Sequence, residues 1–296
     1  MNIDQLKTST ADRLKFNLKN ATVYTGNGFT YSKYLAKHTE IGKLEDPSAI
    51  DALHTYLRTQ LQSNRARFQN HVNLLKRYRK PGTRVLDIGC GGGSFLSLAR
   101  DAGYAVLGVE LNPNRAEYCR TVIGLETEET DVNTPAFHSR YAQSFDCITL
   151  WDVIEHVNFP VATLESVHKC LAPGGYLLLD TPAKDSFYHR FGEISYALSR
   201  GRFPTFLNIM YSESPFGHKQ IFSTGEMRRI LEEAGYEIVH LEKIHELSFP
   251  YEFYLKRVFR WSVAVKILEP VVRVAFRITK LRNKMVIAAR KGGGPA

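Results

Sequence analysis

The stretch from Arg84 to Ala99 limits the possible folds of this chain most strongly, because it joins a buried strand, a glycine-rich turn and the start of a helix. Apolar residues at positions 85, 86 and 88 predict the strand, and Asp87 lies near its end. Gly89 and the glycines at 91, 92 and 93 allow a tight turn and a close approach of the backbone to a ligand. The stretch therefore predicts a binding loop between a strand and a helix.

The residues around this loop favour a positively charged nucleoside as its ligand. A dinucleotide-binding loop has the pattern G-x-G-x-x-G, but Ser94 stands where the third glycine would be. The carboxylate of Asp87 would repel a phosphate and attract a cation. Glu110 follows the next predicted strand, residues 105–109, where its oxygens can accept hydrogen bonds from two ribose hydroxyls. A tight turn with an ordinary acid at a strand end is the alternative that needs no ligand.

Four motifs in a fixed order carry a family resemblance. The glycine-rich loop and Glu110 are followed by FDCITLWDVIEH at residues 145–156 and by LAPGG at 171–175. In this order they resemble the class I S-adenosylmethionine-dependent methyltransferases, and especially the branch with ubiquinone-biosynthesis and sugar O-methyltransferases. The resemblance implies an α/β, Rossmann-like three-layer sandwich. Its seven-stranded, mostly parallel sheet would have an antiparallel last strand, a helical N-terminal cap and helical insertions.

The resemblance also implies S-adenosylmethionine as the cofactor, lying over the carboxyl ends of the first strands. The residues at the matching positions are Asp87, Gly89, Cys90, Gly91, Gly93, Glu110, Leu111, Asp131, Val132, Trp151 and Asp152. Asp131 and Val132 would lie against the adenine, and an ordinary loop acid is an equal alternative for Asp131. Asp152 and Glu155 are alternatives for holding the acceptor or the amino group of the cofactor.

Two histidines are candidates for a catalytic base. Methyl transfer to a hydroxyl needs alignment of donor and acceptor and removal of one proton. His156 lies beyond the carboxyl end of a predicted strand, and its ordinary pKa of about 6.5 suits that task. His218 opens a segment, HKQIFS, that is similar to a His-x-x-x-Phe-Ser signature of the same branch. A structural histidine bonded to the backbone is the alternative for either residue.

Composition limits the other classes of site and location. The chain has 296 residues, of which 44% are apolar and 23% are charged, as in ordinary globular proteins. The four cysteines lack C-x-x-C spacing, so we expect neither a zinc site nor disulfides, and we predict no metal. The start has no secretory signal, and no uncharged run reaches the length of about 20 residues that a membrane span needs. We therefore expect a cytoplasmic protein.

The predicted organisation has three parts. Residues 1–67 form a helical N-terminal cap, in which one helix begins near Asp46 and Pro47. Residues 68–291 form the methyltransferase core, and residues 292–296 form a flexible tail. The core carries two insertions: an aromatic-rich substrate lid at 181–222 and a basic amphipathic helical insertion at 250–282. The final strand is predicted from Lys284 onward.

The formal net charge of +9 comes from one region of the chain. Residues 251–291 contain eleven Lys or Arg and two acidic residues, so the remaining chain is balanced. The sequence pattern of the insertion predicts two helices divided at Glu269–Pro270, with basic residues beside an apolar face. Such a pattern is typical of a helix at a membrane surface. Packing or a homodimer contact is an almost equal alternative, and contact with nucleic acid is a weaker one.

These observations predict methyl transfer to a small-molecule acceptor, with a hydroxyl on a lipid-like, aromatic or glycan compound favoured. An RNA methyltransferase is one alternative, although the positive charge is concentrated in a late insertion and not at the predicted site, so no nucleic acid is expected. A non-catalytic protein that binds S-adenosylmethionine for assembly is the other. Its cofactor motifs would normally be incomplete, whereas those of this chain are complete.

Overall fold

The computed structural model describes residues 2–37, 50–247, 250–258, 262–279 and 281–292. Ten strands occur in the described chain: β1 (Arg13–Asn17), β2 (Thr22–Gly26), β3 (Phe29–Ser32), β4 (Arg84–Ile88), β5 (Ala105–Val109), β6 (Thr127–Glu128), β7 (Phe145–Trp151), β8 (Leu171–Pro182), β9 (Tyr236–Ile244) and β10 (Lys284–Lys291). Strands β4 to β10 form one seven-stranded sheet in the order β6-β5-β4-β7-β8-β10-β9. Strands β1 to β3 form a separate antiparallel sheet.

The large sheet confirms the predicted fold class. β4 pairs in parallel with β5 and with β7, and β7 pairs in parallel with β8. The last strand, β10, is antiparallel to both of its neighbours, so that Ile287 lies between Leu179 on β8 and Leu241 on β9. Parallel strands bring their carboxyl ends to one edge, which is where ligands bind in open sheets of this type.

The helices lie on both sides of the sheet and in the two insertions. They are α1 (Ile3–Leu6), α2 (Ile50–Ser63), α3 (Arg65–Tyr78), α4 (Ser94–Asp101), α5 (Pro113–Tyr118, continued by a π turn at Cys119–Ile123), α6 (Pro135–Arg140), α7 (Pro160–Cys170), α8 (Phe187–Leu198), α9 (Thr205–Met210), α10 (Thr224–Glu233), α11 (Tyr251–Val258) and α12 (Ser262–Thr279). Within the described part of the chain, none of these helices has both the length and the apolar character that a membrane crossing needs.

Two apolar clusters cover the two faces of the sheet. Side chains alternate between the faces along a strand, so Val85 packs in one cluster and Leu86 in the other. On β10, Val286 and Ile287 separate in the same way. The rigid two-sided core holds the carboxyl edge of the sheet in place, and the candidate site lies at that edge.

The helical prediction for residues 1–67 is wrong for residues 13–32, which form the small sheet. Asn27 and Gly28 both have positive φ angles, of 44° and 84°. An Asn-Gly pair with this geometry is the preferred turn of a two-residue hairpin, and it joins β2 to β3. Phe29 and Tyr31 then bury their rings against the core. The predicted start of a helix at Asp46–Pro47 lies outside the described residues.

The basic insertion also differs from its prediction. Its helices are α11 and α12, and Pro270 lies inside α12 instead of dividing the two helices. A proline removes one backbone hydrogen bond from a helix, but a salt bridge from Arg273 to Glu269 spans this position. Of the predicted tail at 292–296, residues 293–296 lie outside the described residues. The division into cap, core, lid and insertion remains our proposal.

Candidate active site

A partly open cavity of about 1290 Å³ lies at the carboxyl edge of the sheet. Its wall includes every sequence-predicted site residue except Gly93: Asp87, Gly89, Cys90, Gly91, Glu110, Leu111, Asp131, Val132, Trp151, Asp152, His156 and His218. These residues come from the ends of β4, β5 and β7 and from the loop after β6, and His218 comes from the predicted lid segment. The fold thus brings the cofactor candidates and the two candidate bases into one cavity.

Three glycines of the loop after β4 are required on different structural grounds. Gly89 has a φ of 69°, and an added Cβ would lie 2.7 Å from Cγ2 of Val153. At Gly93, the residue before α4, φ is 72° and a Cβ would lie 2.6 Å from Leu125. Gly91 also has a positive φ, of 56°, but a Cβ there would meet nothing within 4 Å. Gly91 therefore leaves space on the cavity side, as a closely approaching ligand requires.

Asp87 is a buried carboxyl group, and no basic side chain among the described residues forms an ion pair with it. Its Oδ1 accepts a hydrogen bond of 2.6 Å from the hydroxyl of Thr149 on the neighbouring strand. Burial raises the pKa of Asp87 to about 8, although the bond from Thr149 lowers it, and the nearby Glu110 raises it further. A cationic ligand would supply the missing opposite charge. This environment fits the predicted role of Asp87 toward a positively charged cofactor.

Glu110 is held by two backbone groups. Its Oε2 accepts a bond of 2.8 Å from the N–H of Gly91, and its Oε1 accepts one of 2.9 Å from the N–H of Asn112. Burial raises the pKa of Glu110, and these backbone bonds oppose the rise. Each carboxylate oxygen can accept more than one hydrogen bond, so both oxygens keep capacity for a ribose. The two bonds also fix the carboxylate beside the glycine-rich loop.

The remaining cofactor candidates form the wall around these two acids. Val132 is buried, and the carboxylate of Asp131 closes a turn through two bonds of 2.9 Å from Asn133. Trp151 stacks on His71, with ring centroids 3.9 Å apart and an interplanar angle of 9°. The indole Nε1 of Trp151 is buried and makes no hydrogen bond within the described part of the chain.

A buried ionic network surrounds Asp152. Asp152 has a φ of 53°, and its carboxylate contacts both Arg67 and the amine of Lys284, the latter at 2.5 Å. Asp180 accepts a bond of 2.7 Å from the backbone N–H of Asp152 and one of 2.8 Å from Lys284. Burial would raise the pKa of Asp152, but the positive charges of Arg67 and Lys284 outweigh it and lower the pKa.

This network was missed by the sequence interpretation. Arg67, Asp180 and Lys284 were not among the predicted site residues, yet Arg67 and Lys284 line the cavity together with Asp152. The available signals were a charged residue at the end of one apolar strand and a lysine at the start of another. The cavity is also lined by aromatic and apolar side chains of the lid and the insertion: Tyr188, Phe206, Ile209, Met210, Tyr251, Phe253, Tyr254, Leu255 and Val272.

The two candidate bases face each other. The ring centroids of His156 and His218 are 4.8 Å apart, with an interplanar angle of 61°. Burial lowers the pKa of His156 to about 3, and His218 and Lys219 lower it further; burial also lowers the pKa of His218. Both imidazoles are therefore neutral near pH 7. The neutral form is the one that accepts a proton.

The described chain contains two groups of three side chains that could bind a metal ion, because in each group the three possible ligand atoms lie within 4.8 Å of one another. Glu155, His156 and His218 form the first group, and its imidazole and carboxylate ligands are of the kind that transition-metal ions use. His71, Asp180 and Glu246 form the second group. In the second group the acids are already bonded to cationic side chains of the network.

Comparisons with known proteins agree with the fold and the order of the motifs. A family model described as a methyltransferase domain matches residues 53–241. The ubiquinone biosynthesis O-methyltransferase of Xanthomonas campestris pv. campestris (strain B100) is 33% identical over 104 residues, which is 34% of this chain and 44% of the relative. The enzyme with the same name from Nitrosococcus oceani is 30% identical over 116 residues, or 38% of this chain and 47% of the relative.

The chain spans less than half the length of these curated relatives. Among solved structures, a SAM dependent methyltransferase from Archaeoglobus fulgidus is similar, with a TM-score of 0.52. The two are 18% identical, and the match covers 78% of this chain and 94% of that one. At this identity the structural match supports the fold alone.

Proposed function

The chain belongs to the methyltransferase domain family, and we propose that it transfers the methyl group of S-adenosylmethionine to a hydroxyl of a small lipid-like, aromatic or glycan acceptor. One observation carries this proposal: a single cavity of about 1290 Å³ runs from Asp87 and Glu110 to His156 and His218. Ligand pockets commonly have volumes of about 300–1,000 Å³. The cavity therefore has room for a cofactor and a second ligand side by side.

The residues present fit the cofactor. Gly91 leaves open space where a side chain would otherwise project, and Asp87 is a buried acid to which no basic side chain of the described residues is paired. Asp87 would hold the positively charged part of the cofactor, and Glu110 would hold its ribose. When bound, the cofactor supplies a methyl group on a positively charged sulfur. The sulfur becomes a neutral thioether when the methyl group is transferred, so this leaving group needs no proton.

The proton of the acceptor hydroxyl goes to one of the two histidines in this proposal. Burial lowers the pKa of both rings, and the nearby backbone of Gly217 and of Met210 raises the pKa of His156 and of His218, respectively, without outweighing burial. An imidazole that donates from one nitrogen keeps the other nitrogen as an acceptor. His156 and His218 are thus unprotonated at neutral pH and can accept a proton beside the cavity that would hold the acceptor, although a pKa of about 3 makes His156 the weaker base.

The aromatic wall supports a lipid-like or aromatic acceptor. Tyr188 and Phe206 come from the lid, and Tyr251 and Tyr254 come from the insertion, on the acceptor side of the cavity. Such a wall binds apolar groups and excludes water from the reacting atoms. The name of the curated relatives, O-methyltransferase, supports oxygen as the acceptor atom. We keep membrane contact through 250–282 and a homodimer as further parts of the proposal.

The test compares His156→Ala, His218→Ala and the double variant with the parent. The assay measures release of S-adenosylhomocysteine with an alkyl-substituted catechol and with an alkyl glucoside as acceptors, across pH 5 to 9. We expect kcat to fall by about 10²–10⁴ in the variant that lacks the base, with unchanged binding of S-adenosylhomocysteine. His240→Ala, on the edge strand β9, is the matched control. An unaltered kcat in the double variant would remove the histidines from the mechanism.

A second measurement addresses the alternative functions. Tight binding of RNA that weakens steeply with salt would favour an RNA methyltransferase. If S-adenosylhomocysteine caused no thermal shift, a non-catalytic role without the cofactor would be favoured, because a ligand that binds the native state raises its stability.

A further inference from the structure

The lid helix α8 exposes a continuous apolar stripe. Phe187, Phe191, Ile194 and Leu198 are 51%, 43%, 56% and 83% exposed. Their spacings of four, three and four residues place them on one face of the helix. Phe203, which is 68% exposed, follows the helix. Exposed apolar residues are normally scattered singly, whereas a contiguous patch indicates an interaction surface.

Helix α12 of the insertion exposes a second stripe of the same kind. Val263, Ile267, Val271 and Val274 are 67%, 64%, 61% and 55% exposed. They follow one another at spacings of four, four and three residues, so they also share one face. We call these two surfaces the lid stripe and the insertion stripe.

Both stripes adjoin the same cavity. The ring of Phe191 in the lid stripe packs edge-on against Phe206, with centroids 4.9 Å apart, and Phe206 is part of the cavity wall. Val272, next to Val271 of the insertion stripe, also lines the cavity. Tyr188 of the lid is close enough to the α11 tyrosines for them to raise its pKa. Residues of both stripes therefore lie next to residues of the cavity wall.

The charge around the stripes is positive on both sides. Residues 187–203 contain three arginines and one acidic residue, and residues 250–282 contain eight Lys or Arg and two acidic residues. Arg190, Arg200 and Arg202 are exposed near the lid stripe, and Lys266 and Arg273 are exposed near the insertion stripe. Apolar side chains flanked by Lys and Arg complement a bilayer that contains anionic lipids.

We propose that the lid stripe and the insertion stripe dock together on an anionic bilayer, so that the cavity receives a long-chain lipid acceptor directly from the membrane. This inference rests on the proposed function and deepens it, because it names the class of acceptor and the surface from which the acceptor comes. The polar head of the lipid enters toward His156 and His218, and its apolar chain remains between the two stripes. A water-soluble acceptor of the same chemistry needs neither stripe.

The experiment measures flotation of the full chain with vesicles of phosphatidylglycerol and phosphatidylcholine, and with vesicles of phosphatidylcholine alone. The lid variant is Ile194→Ser with Leu198→Ser, and the insertion variant is Ile267→Ser with Val271→Ser. None of these four residues lines the cavity. The control variant is Val122→Ser with Val239→Ser, which removes two residues that are 39% and 41% exposed elsewhere on the surface.

We expect the parent to float with the anionic vesicles at low salt and to lose this binding at high salt. Each stripe variant should bind about tenfold more weakly, since membrane binding scales with the buried apolar area and with charge. The control variant should float like the parent. With a long-chain catechol in vesicles the stripe variants should show a KM raised about tenfold, and with a short water-soluble catechol they should match the parent.

Three results would overturn the inference: a parent that does not float with anionic vesicles, stripe variants that bind like the control, or stripes that hold two copies of the chain together without binding vesicles. Size-exclusion chromatography of parent and variants detects the last case. Titration with S-adenosylhomocysteine separates this inference from the proposed function. Vesicle binding without cofactor binding would contradict the proposed function, and cofactor binding with catechol turnover but without vesicle binding would contradict only the membrane inference.

Discussion

Asp87 predicts an unusual pH dependence of cofactor binding. Because burial raises the pKa of Asp87 to about 8, only about one tenth of the carboxyl groups are ionised at pH 7 and about one hundredth at pH 6. A cationic ligand binds the ionised form. The affinity for S-adenosylhomocysteine should therefore fall about tenfold between pH 7 and pH 6, which corresponds to about 1.4 kcal/mol.

Isothermal titration calorimetry between pH 5.5 and 7.5 measures this dependence. Over this range the α-amino group of the ligand keeps its charge, since the ammonium group of a free amino acid is more basic than a peptide N-terminus, whose pKa is about 7.7–8.0. Asp87→Asn should remove the pH dependence, and at pH 7.5 it should bind about 10- to 100-fold more weakly than the parent, as expected when a hydrogen bond to a charged group is lost. Release of one proton on binding, measured in buffers of different ionisation enthalpy, is an independent readout.

Two variants test whether Asp87 is the titrating group. Thr149→Val removes the hydroxyl that donates to Asp87, so the pKa should rise further and the affinity curve should move to higher pH with the same slope. Asp146 lies on β7, as Thr149 does, but outside the cavity wall, so Asp146→Asn should show the same pH dependence of affinity as the parent. A tenfold fall that persists in Asp87→Asn would refute the reasoning and assign the proton to Glu110. A flat profile in the parent would refute it as well.

Three further predictions follow from the site and its surroundings. Glu110→Gln should weaken S-adenosylhomocysteine binding by about 10-fold or more in calorimetry, because hydrogen bonds to a charged group contribute about 1.5–3 kcal/mol. Gly91 and Gly124 have φ angles of 56° and 70° and open space around the position of a Cβ, so Gly91→Ala and Gly124→Ala should each lose about 1–2 kcal/mol of stability in urea. Only Gly91→Ala should also weaken binding of S-adenosylhomocysteine. Equal binding by both variants would contradict the assignment of the loop to the cofactor. Lys284→Ala should lower the free energy of unfolding, measured in denaturant, by about 3–5 kcal/mol, because it leaves Asp152 buried without this partner. Lys256→Ala, which removes an exposed ion pair, should lower it by less than about 1 kcal/mol. Similar losses in both variants would contradict the structural importance of the buried ionic network.

The sequence predicted the elements whose signals are local. Apolar runs followed by glycine or acidic residues located β4, β5 and β7, and the order of the motifs implied the antiparallel last strand that begins at Lys284. The N-terminal sheet was missed although Asn27–Gly28 is a strong hairpin signal and short runs rich in β-branched and aromatic residues flank it at 22–25 and 29–32. Pro270 was read as a helix break, yet α12 continues through it.

The ionic network could not be predicted because its partners are distant in sequence. Arg67 and Asp152 are 85 residues apart, and Lys284 and Asp180 are 104 apart. In the sequence, Arg67 looks like an ordinary charged residue on the polar face of a helix. Only burial against Asp152 and Asp180 makes its charge structurally important, since a buried charge requires an opposite charge nearby.

The same network explains why the insertion lies beside the site. Glu246 follows β9 and precedes the insertion, whereas Lys284 begins β10 immediately after it. Glu246 accepts a bond of 2.8 Å from Arg67, and Lys284 contacts Asp152 at the carboxyl end of β7. Both ends of the insertion are therefore tied to the loop that leads to His156. A lid or insertion joined elsewhere on the sheet would need its own contacts to reach the cavity, whereas this one begins and ends at the cavity wall.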